Sequence, residues 1–239
     1  MKAKLNNADV HRRYQQVTTC TGYSIKDDFI GVAINPLQMS LCIALAVILL
    51  GVTFIVQPLN FWLCIAITTL VLAVLAIILG GNTIEKRHFD LESLFWGLSM
   101  AVVLYIIFWL GARLISLSIL DFTHLSSYAA AIYSLQEGVP PLLIGLVLIL
   151  ITSPCEEIFW RGFIQRGLSQ SFGETKGWLW AALLYAGAHI VSLNPLLVLS
   201  ALIGGLIWGK MYQKQHHIVS CIISHALWAL VVFLLLPII

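Results

Sequence analysis

The sequence predicts an all-α, polytopic transmembrane helical bundle of about seven spans with its N-terminus in the cytoplasm. Of 239 residues, 60% are apolar and 10% are charged, against roughly 45–50% and about 25% in ordinary soluble domains. The mean hydropathy is +0.95. Long apolar runs separated by Gly, Pro, Asn or charged residues follow one another from about residue 38 onward, and a hydrocarbon layer about 30 Å thick is crossed by roughly 20 helical residues. A net charge of only +2 excludes a strongly basic nucleic-acid-binding face and an acidic disordered chain. Membrane lipid is therefore an expected partner and nucleic acid is not.

The runs fall at 38–56, 60–81, 92–115, 141–168, 177–192, 195–210 and 217–236. They divide the chain into an N-terminal arm (1–37), helices one to three (38–140) and helices four to seven (141–239). The first run begins too late for the apolar core of a signal peptide, and no small-residue cleavage site follows it, so it is read as a retained span. Gln57-Pro58-Leu59-Asn60 between runs one and two predicts a tight helical hairpin. Runs five and six are short and meet at Asn194-Pro195, which leaves room for a re-entrant or broken element. The cysteines Cys20, Cys42, Cys64, Cys155 and Cys221 are odd in number and form no CxxC pair, so neither a disulfide framework nor a zinc ribbon is expected. No internal repeat is visible. Trp62, Trp96, Trp109 and Trp178 lie near predicted helix ends, as an aromatic belt requires.

Cytoplasmic loops retain Lys and Arg. Lys2, Lys4, Arg12, Arg13 and Lys26 lie in the arm, Lys86 and Arg87 follow span two, Arg161, Arg166 and Lys176 lie in the inner half of span four and its loop, and Lys210 and Lys214 follow span six. Only Arg113 stands toward the other side, and the connection 116–140 contains no basic residue. The predicted topology is N-terminus inside and C-terminus outside, with the arm as an interfacial tether.

An ionisable group at the bilayer centre costs about 2.5 kcal/mol or more on insertion scales, so the few that lie within apolar runs are the candidates for function. They are Glu156, Glu157 and Arg161 in the fourth run, His189 in the fifth and His225 in the seventh. Glu157 and Arg161 stand at i and i+4, where a carboxylate meets a guanidinium on one helix surface. Glu156 points about 100° away and is left free to exchange protons. At about 1.5 Å rise per residue, Glu156, His189 and His225 fall within one slab of the membrane, roughly 12–18 Å from their inner helix ends. A carboxylate and two imidazoles at one depth can hold a water or a metal ion for attack on a carbonyl. Pro154 predicts a kink just before the glutamates. Cys155 is read as a small buried residue, His216 and His217 as solvated interface residues, and Trp228 as pointing to a helix face away from the site.

These residues resemble the CPBP family of intramembrane proteases, the CAAX-processing and bacteriocin-processing enzymes also called Abi, over about 141–236. The double glutamate with an arginine four places on is matched by Glu156, Glu157 and Arg161; the aromatic followed four residues later by histidine by Tyr185 and His189; the small-residue helix by Gly204, Gly205 and Gly209; and the last motif by His225. The resemblance implies peptide-bond hydrolysis in a membrane-associated protein or peptide. Glu156 and His189 would polarise water, Glu157, Arg161 and Tyr185 would support the site, and His225 would stabilise the tetrahedral intermediate. It also implies Glu156, His189 and His225 as ligands if a metal, Zn, is used. The site is expected to open from the cytoplasmic side or inner leaflet, in a multi-pass protein of a bacterial cell membrane. Four residues after its last histidine the family usually carries Asn or Asp, where this chain has Ala229. Losing one oxyanion donor has reduced rates about 10²–10³-fold elsewhere.

Other chemistries lack their residues. HExxH, GxSxG and a pair of intraspan aspartates are absent. A non-catalytic immunity or scaffold protein, and a small proton-coupled transporter using the same buried groups, are the competing classes; the missing inverted repeat weighs against the latter.

Overall fold

In the computed structural model, which describes residues 33–80, 88–116 and 122–238, the helices succeed one another in the expected order. We number them α1 (Pro36–Val56), α2 (Phe61–Gly80), α3 (Leu91–Ser116), α4 (Phe122–Ser134), α5 (Pro141–Phe172), α6 (Glu174–Ala188), α7 (Pro195–Gln215) and α8 (Val219–Leu235). The arm up to residue 32 with Cys20, and the segments containing Lys86, Arg87 and Asp121, lie outside the described residues. Five helices, α1, α2, α3, α5 and α7, are long and apolar enough to cross a membrane, and α8 is a shorter apolar helix. The chain is an integral membrane protein. Side chains such as Leu37, Ile78, Leu91 and Leu142 stand more than 65% exposed, which suits lipid rather than water as the surrounding medium.

Local sequence explains the turns. Asn60 closes the α1–α2 hairpin by accepting the Trp62 N–H at 2.9 Å, after Gln57 takes a left-handed conformation with φ 45°. Asp90 begins α3 by accepting the Ser93 N–H at 2.7 Å, and this bond holds its carboxyl below the ordinary aspartate range. At the break after α6, a short 3-10 turn (His189–Ser192) ends with Leu193 left-handed. Asn194 then caps α7 by accepting the N–H groups of Leu196 and Leu197, so the Asn-Pro pair is a tight turn between two helices.

Three expectations need correction, and the expected irregularity at Pro154 gains a structural basis. The 116–140 connection contains α4, whose mixed polar sequence FTHLSSYAAAIYS hid it from hydropathy. At about 1.5 Å per residue it is too short to span, and it lies at the end of the bundle where α3 ends and α5 begins. Trp62 and Trp178 are not belt residues, because their indole N–H groups turn inward to the carbonyls of Leu135 and Leu206 at 2.8 and 2.9 Å; Trp96 and Trp109 do remain exposed. Pro154 is accommodated by a π-helical stretch, Leu148–Thr152, which widens the turn before it. His216 and His217 are half-buried rather than solvated, and the His217 ring stacks on His88 at 4.6 Å with an interplanar angle of 14°.

Gly205 and Gly209 let α7 approach its neighbours. A Cβ on Gly205 would lie 3.2 Å from the Ala182 backbone, and one on Gly209 would lie 2.7 Å from the Trp178 ring. The Gly209 carbonyl accepts from Gln165 Nε2 at 2.7 Å, tying α7 to α5. Among the described residues the cysteines Cys42, Cys64, Cys155 and Cys221 are free and buried.

Burial, followed by the neighbouring His88, lowers the pKa of His217 from its usual 6.5, against the opposing pull of Asp90 and Glu92; His216 also lowers it. A depressed histidine pKa contributes stability that is present above the unfolded value and lost as pH falls. The expected outcome is that amide protection around 216–219, taken relative to the intrinsic exchange rate at each pH, falls as pH drops from about 7 to about 5 while the α5 amides keep theirs; protection that does not change with pH would contradict it.

Candidate active site

The double glutamate sits on a seven-residue α-helical stretch, Ser153–Phe159, between two π-helical stretches of α5, Leu148–Thr152 and Trp160–Gln165. Both carboxylates are buried, Glu157 completely. Consecutive residues on a helix diverge by about 100°, so the two groups look into different neighbours and acquire different partners.

Glu157 belongs to an ionic cluster. Its Oε1 accepts from Arg161 Nη1 at 2.9 Å, the predicted i, i+4 pair, and from His225 Nδ1 of α8 at 2.8 Å. The Arg161 guanidinium lies 4.8 Å from the centre of the Tyr185 ring and 5.3 Å from that of Trp208. Trp208 in turn stacks on the His225 imidazole at 4.0 Å, nearly parallel, and donates its indole N–H to Ser224. Each charge is thereby matched by an opposite charge or an aromatic face, the condition under which buried ions are tolerated.

Glu156 has a separate partner. Its Oε2 accepts the Tyr185 hydroxyl at 2.6 Å, so it is not free of partners as its helical position suggested. The carbonyl of the same Tyr185 accepts from His189 Nδ1 at 2.8 Å. A carbonyl only accepts, so Nδ1 carries the proton and Nε2 of a neutral His189 carries the lone pair. Tyr185 therefore supports the site through two atoms at once, with its hydroxyl on Glu156 and its main chain on His189.

Glu156, Tyr185, His189 and His225 line one cavity of about 610 Å³, within the size range of small-ligand sites. The three sequence candidates thus meet at a common space. What sequence reasoning misplaced is the grouping: His225 is bonded to Glu157, while Glu156 and His189 are joined through Tyr185. Thr152 was missed. It lies one turn before Glu156, lines the same cavity, and its hydroxyl has no partner among the described residues; its i−4 spacing from Glu156 was the available signal. Ala229 lines the cavity, as does Trp228, which was expected to face away and whose indole N–H has no partner among the described residues. Cys155 is buried, as its reading required.

Among the described residues no three His, Cys, Asp or Glu side chains form a group that could hold a metal ion.

An apolar cavity in a helical membrane bundle, lined by one carboxylate and two imidazoles with a second carboxylate buried behind them, defines a class of membrane protein with ionisable groups gathered inside an apolar bundle. The comparison with protein families is narrower. Residues 138–231 match the model of the Rce1-like family, described as type II CAAX prenyl endopeptidase Rce1-like, a family of proteases. The match runs from just before α5 into α8, contains all six site residues, and bears out the resemblance read from the sequence. No curated protein and no solved structure matches significantly.

Arg161 should resist even conservative replacement. Lysine keeps the charge but loses the planar contact with Tyr185 and Trp208, and Arg161→Lys is expected to destabilise the fold by about 1–3 kcal/mol. Arg161→Met, which leaves Glu157 as an uncompensated buried charge, is expected to cost about 3–5 kcal/mol. Unfolding titrations in mixed micelles check the ranking, and equal losses for the two variants would contradict it.

Proposed function

We propose that the protein is an intramembrane endopeptidase that hydrolyses a peptide bond of a membrane-associated protein or peptide. The observation that carries the reading is the Glu156–Tyr185–His189 chain on the floor of the cavity.

Tyr185 occupies Oε2 of Glu156, which leaves Oε1 to accept a proton from water. The lone pair on His189 Nε2 offers the same water a second acceptor and so orients it. As the water oxygen bonds to the substrate carbonyl carbon, its proton passes to Glu156. When the carbon–nitrogen bond breaks, Glu156 returns that proton to the leaving amine, the two-way role of a general base and acid. In this mechanism His225, bonded to Glu157 through Nδ1, donates from a protonated Nε2 to the oxygen of the tetrahedral intermediate. Glu157 and Arg161 hold that frame and take no part in proton transfer. No step passes through a metal ion, and cleavage is expected to survive strong chelators; its abolition and recovery with zinc would contradict this part of the mechanism.

Ala229 supports a second reading. It lines the cavity without a donor where the resembled family carries Asn or Asp, and a membrane protein that binds a peptide without cutting it needs no such donor.

One comparison separates the two. Peptide termini in membranes and medium are catalogued from host cells bearing the wild-type chain or Glu156→Ala at equal abundance. Termini that vanish with Glu156→Ala identify a substrate, and loss of a general base predicts a fall of about 10²–10⁴-fold in their formation. Identical termini in both would favour the binding protein.

A further inference from the structure

The helices alternate in direction, so their ends sort onto two membrane faces. One face holds the start of α1, the end of α2, the start of α3, the end of α5, the start of α6, the end of α7 and the start of α8. Among the described residues, Arg166 near the end of α5, Lys176 at the start of α6, and Lys210 and Lys214 at the end of α7 lie there, and in the sequence five further basic residues precede α1 and Lys86 and Arg87 separate α2 from α3. Arg161 is committed to the buried pair with Glu157, and Arg113 is left at the opposite end. The acidic Glu137 also lies toward that opposite face.

The cavity is built from the helix halves nearer the opposite face. Its wall includes Phe54 near the end of α1, Phe61 at the start of α2, Arg113 near the end of α3, Leu148 in the first half of α5, Leu196 at the start of α7, and Ile238 beyond α8. From these ends it descends to Glu156, His189 and His225 near mid-membrane. Cytoplasmic loops retain Lys and Arg, so the face with the basic cluster is the cytoplasmic one, and the cavity extends away from it. The sequence reading expected the opposite opening, toward the cytoplasm or inner leaflet.

We infer that the cavity receives its substrate from the outer leaflet. Resting on the peptidase reading, this assigns as substrate class an apolar polypeptide already carried across or inserted into the membrane, with its scissile bond in the outer half. A tail presented by a cytosolic protein would meet the basic face and the floor of the site from behind. The wall favours such a segment over a charged one: it is mainly apolar and aromatic, its uncharged polar groups are hydroxyls such as Ser116, Ser126 and Tyr133, and its carboxylate, imidazole and guanidinium groups are Glu156, His189 and His225 at the floor and Arg113 near the outer end.

The test reads access separately from cleavage. Cys20→Ser removes the thiol of the arm, and the cysteines within the described helices are buried. In that background Ser116→Cys and Leu236→Cys place a thiol at exposed cavity-wall positions near the outer ends, and Lys214→Cys places one at the basic face. With a membrane-impermeant maleimide, the first two are expected to label in intact cells and Lys214→Cys only after permeabilisation. The reverse pattern overturns the proposal. So does mapping of Glu156-dependent cleavage sites to the cytoplasmic halves of substrate spans, an outcome that leaves the peptidase reading standing. The expected labelling with no Glu156-dependent termini would instead overturn the peptidase reading and, with it, the substrate class.

Discussion

A completely buried carboxylate inside a membrane bundle must have partners, and the arrangement of this site follows from how Glu157 finds its own. Arg161 is supplied by the same helix one turn on, and His225 by a helix distant in sequence. Together they pin α5 to α8. Removing either charge partner leaves an ion stranded in a medium that cannot solvate it, a penalty of several kcal/mol. Tyr185 and Trp208 reinforce the cluster with their ring faces, which extends the constraint to α6 and α7. Four helices are thus referred to one guanidinium.

In the proposed mechanism that anchoring leaves the second carboxylate free for chemistry. Adjacent residues on a helix cannot share partners easily, because about 100° of rotation separates them. Glu156 consequently meets Tyr185 and the cavity, while Glu157 is bonded through Oε1 to both Arg161 and His225. The close approach at Gly205 brings α7 against the face of α6 that carries Tyr185, where a Cβ would lie 3.3 Å from the Tyr185 ring. The two π-helical stretches that bracket the glutamates give α5 its local irregularity at the depth where the cavity needs it.

Much of this was legible in the sequence where the determining physics is local. The spans were visible because hydropathy and length suffice to mark them, and the Glu157–Arg161 pair because i, i+4 spacing dictates it. The candidate residues Glu156, His189 and His225 were visible because charge within apolar runs is costly. Their pairing was not. That His225 answers to Glu157 and Tyr185 to Glu156 depends on the rotation of α6 and α8 about their own axes, which no one-dimensional spacing reports. Helix α4 escaped for another reason: a short segment of mixed character has neither a long apolar run nor strong polarity. Trp62 and Trp178 misled because a tryptophan at a helix end can equally face the headgroups or send its N–H to a buried carbonyl, and packing decides between them.

The central claim is that two neighbouring glutamates divide structure from chemistry. It is tested most directly by measuring unfolding free energy and cleavage rate side by side in Glu156→Gln and Glu157→Gln. The account predicts that Glu156→Gln abolishes cleavage while changing stability by no more than about 1–1.5 kcal/mol, the value of one ordinary hydrogen bond. Glu157→Gln should unfold more readily by about 3–5 kcal/mol, with residual cleavage in whatever fraction stays folded. The opposite pattern, with stability lost at Glu156 and cleavage lost at Glu157 in a fully folded protein, would contradict it.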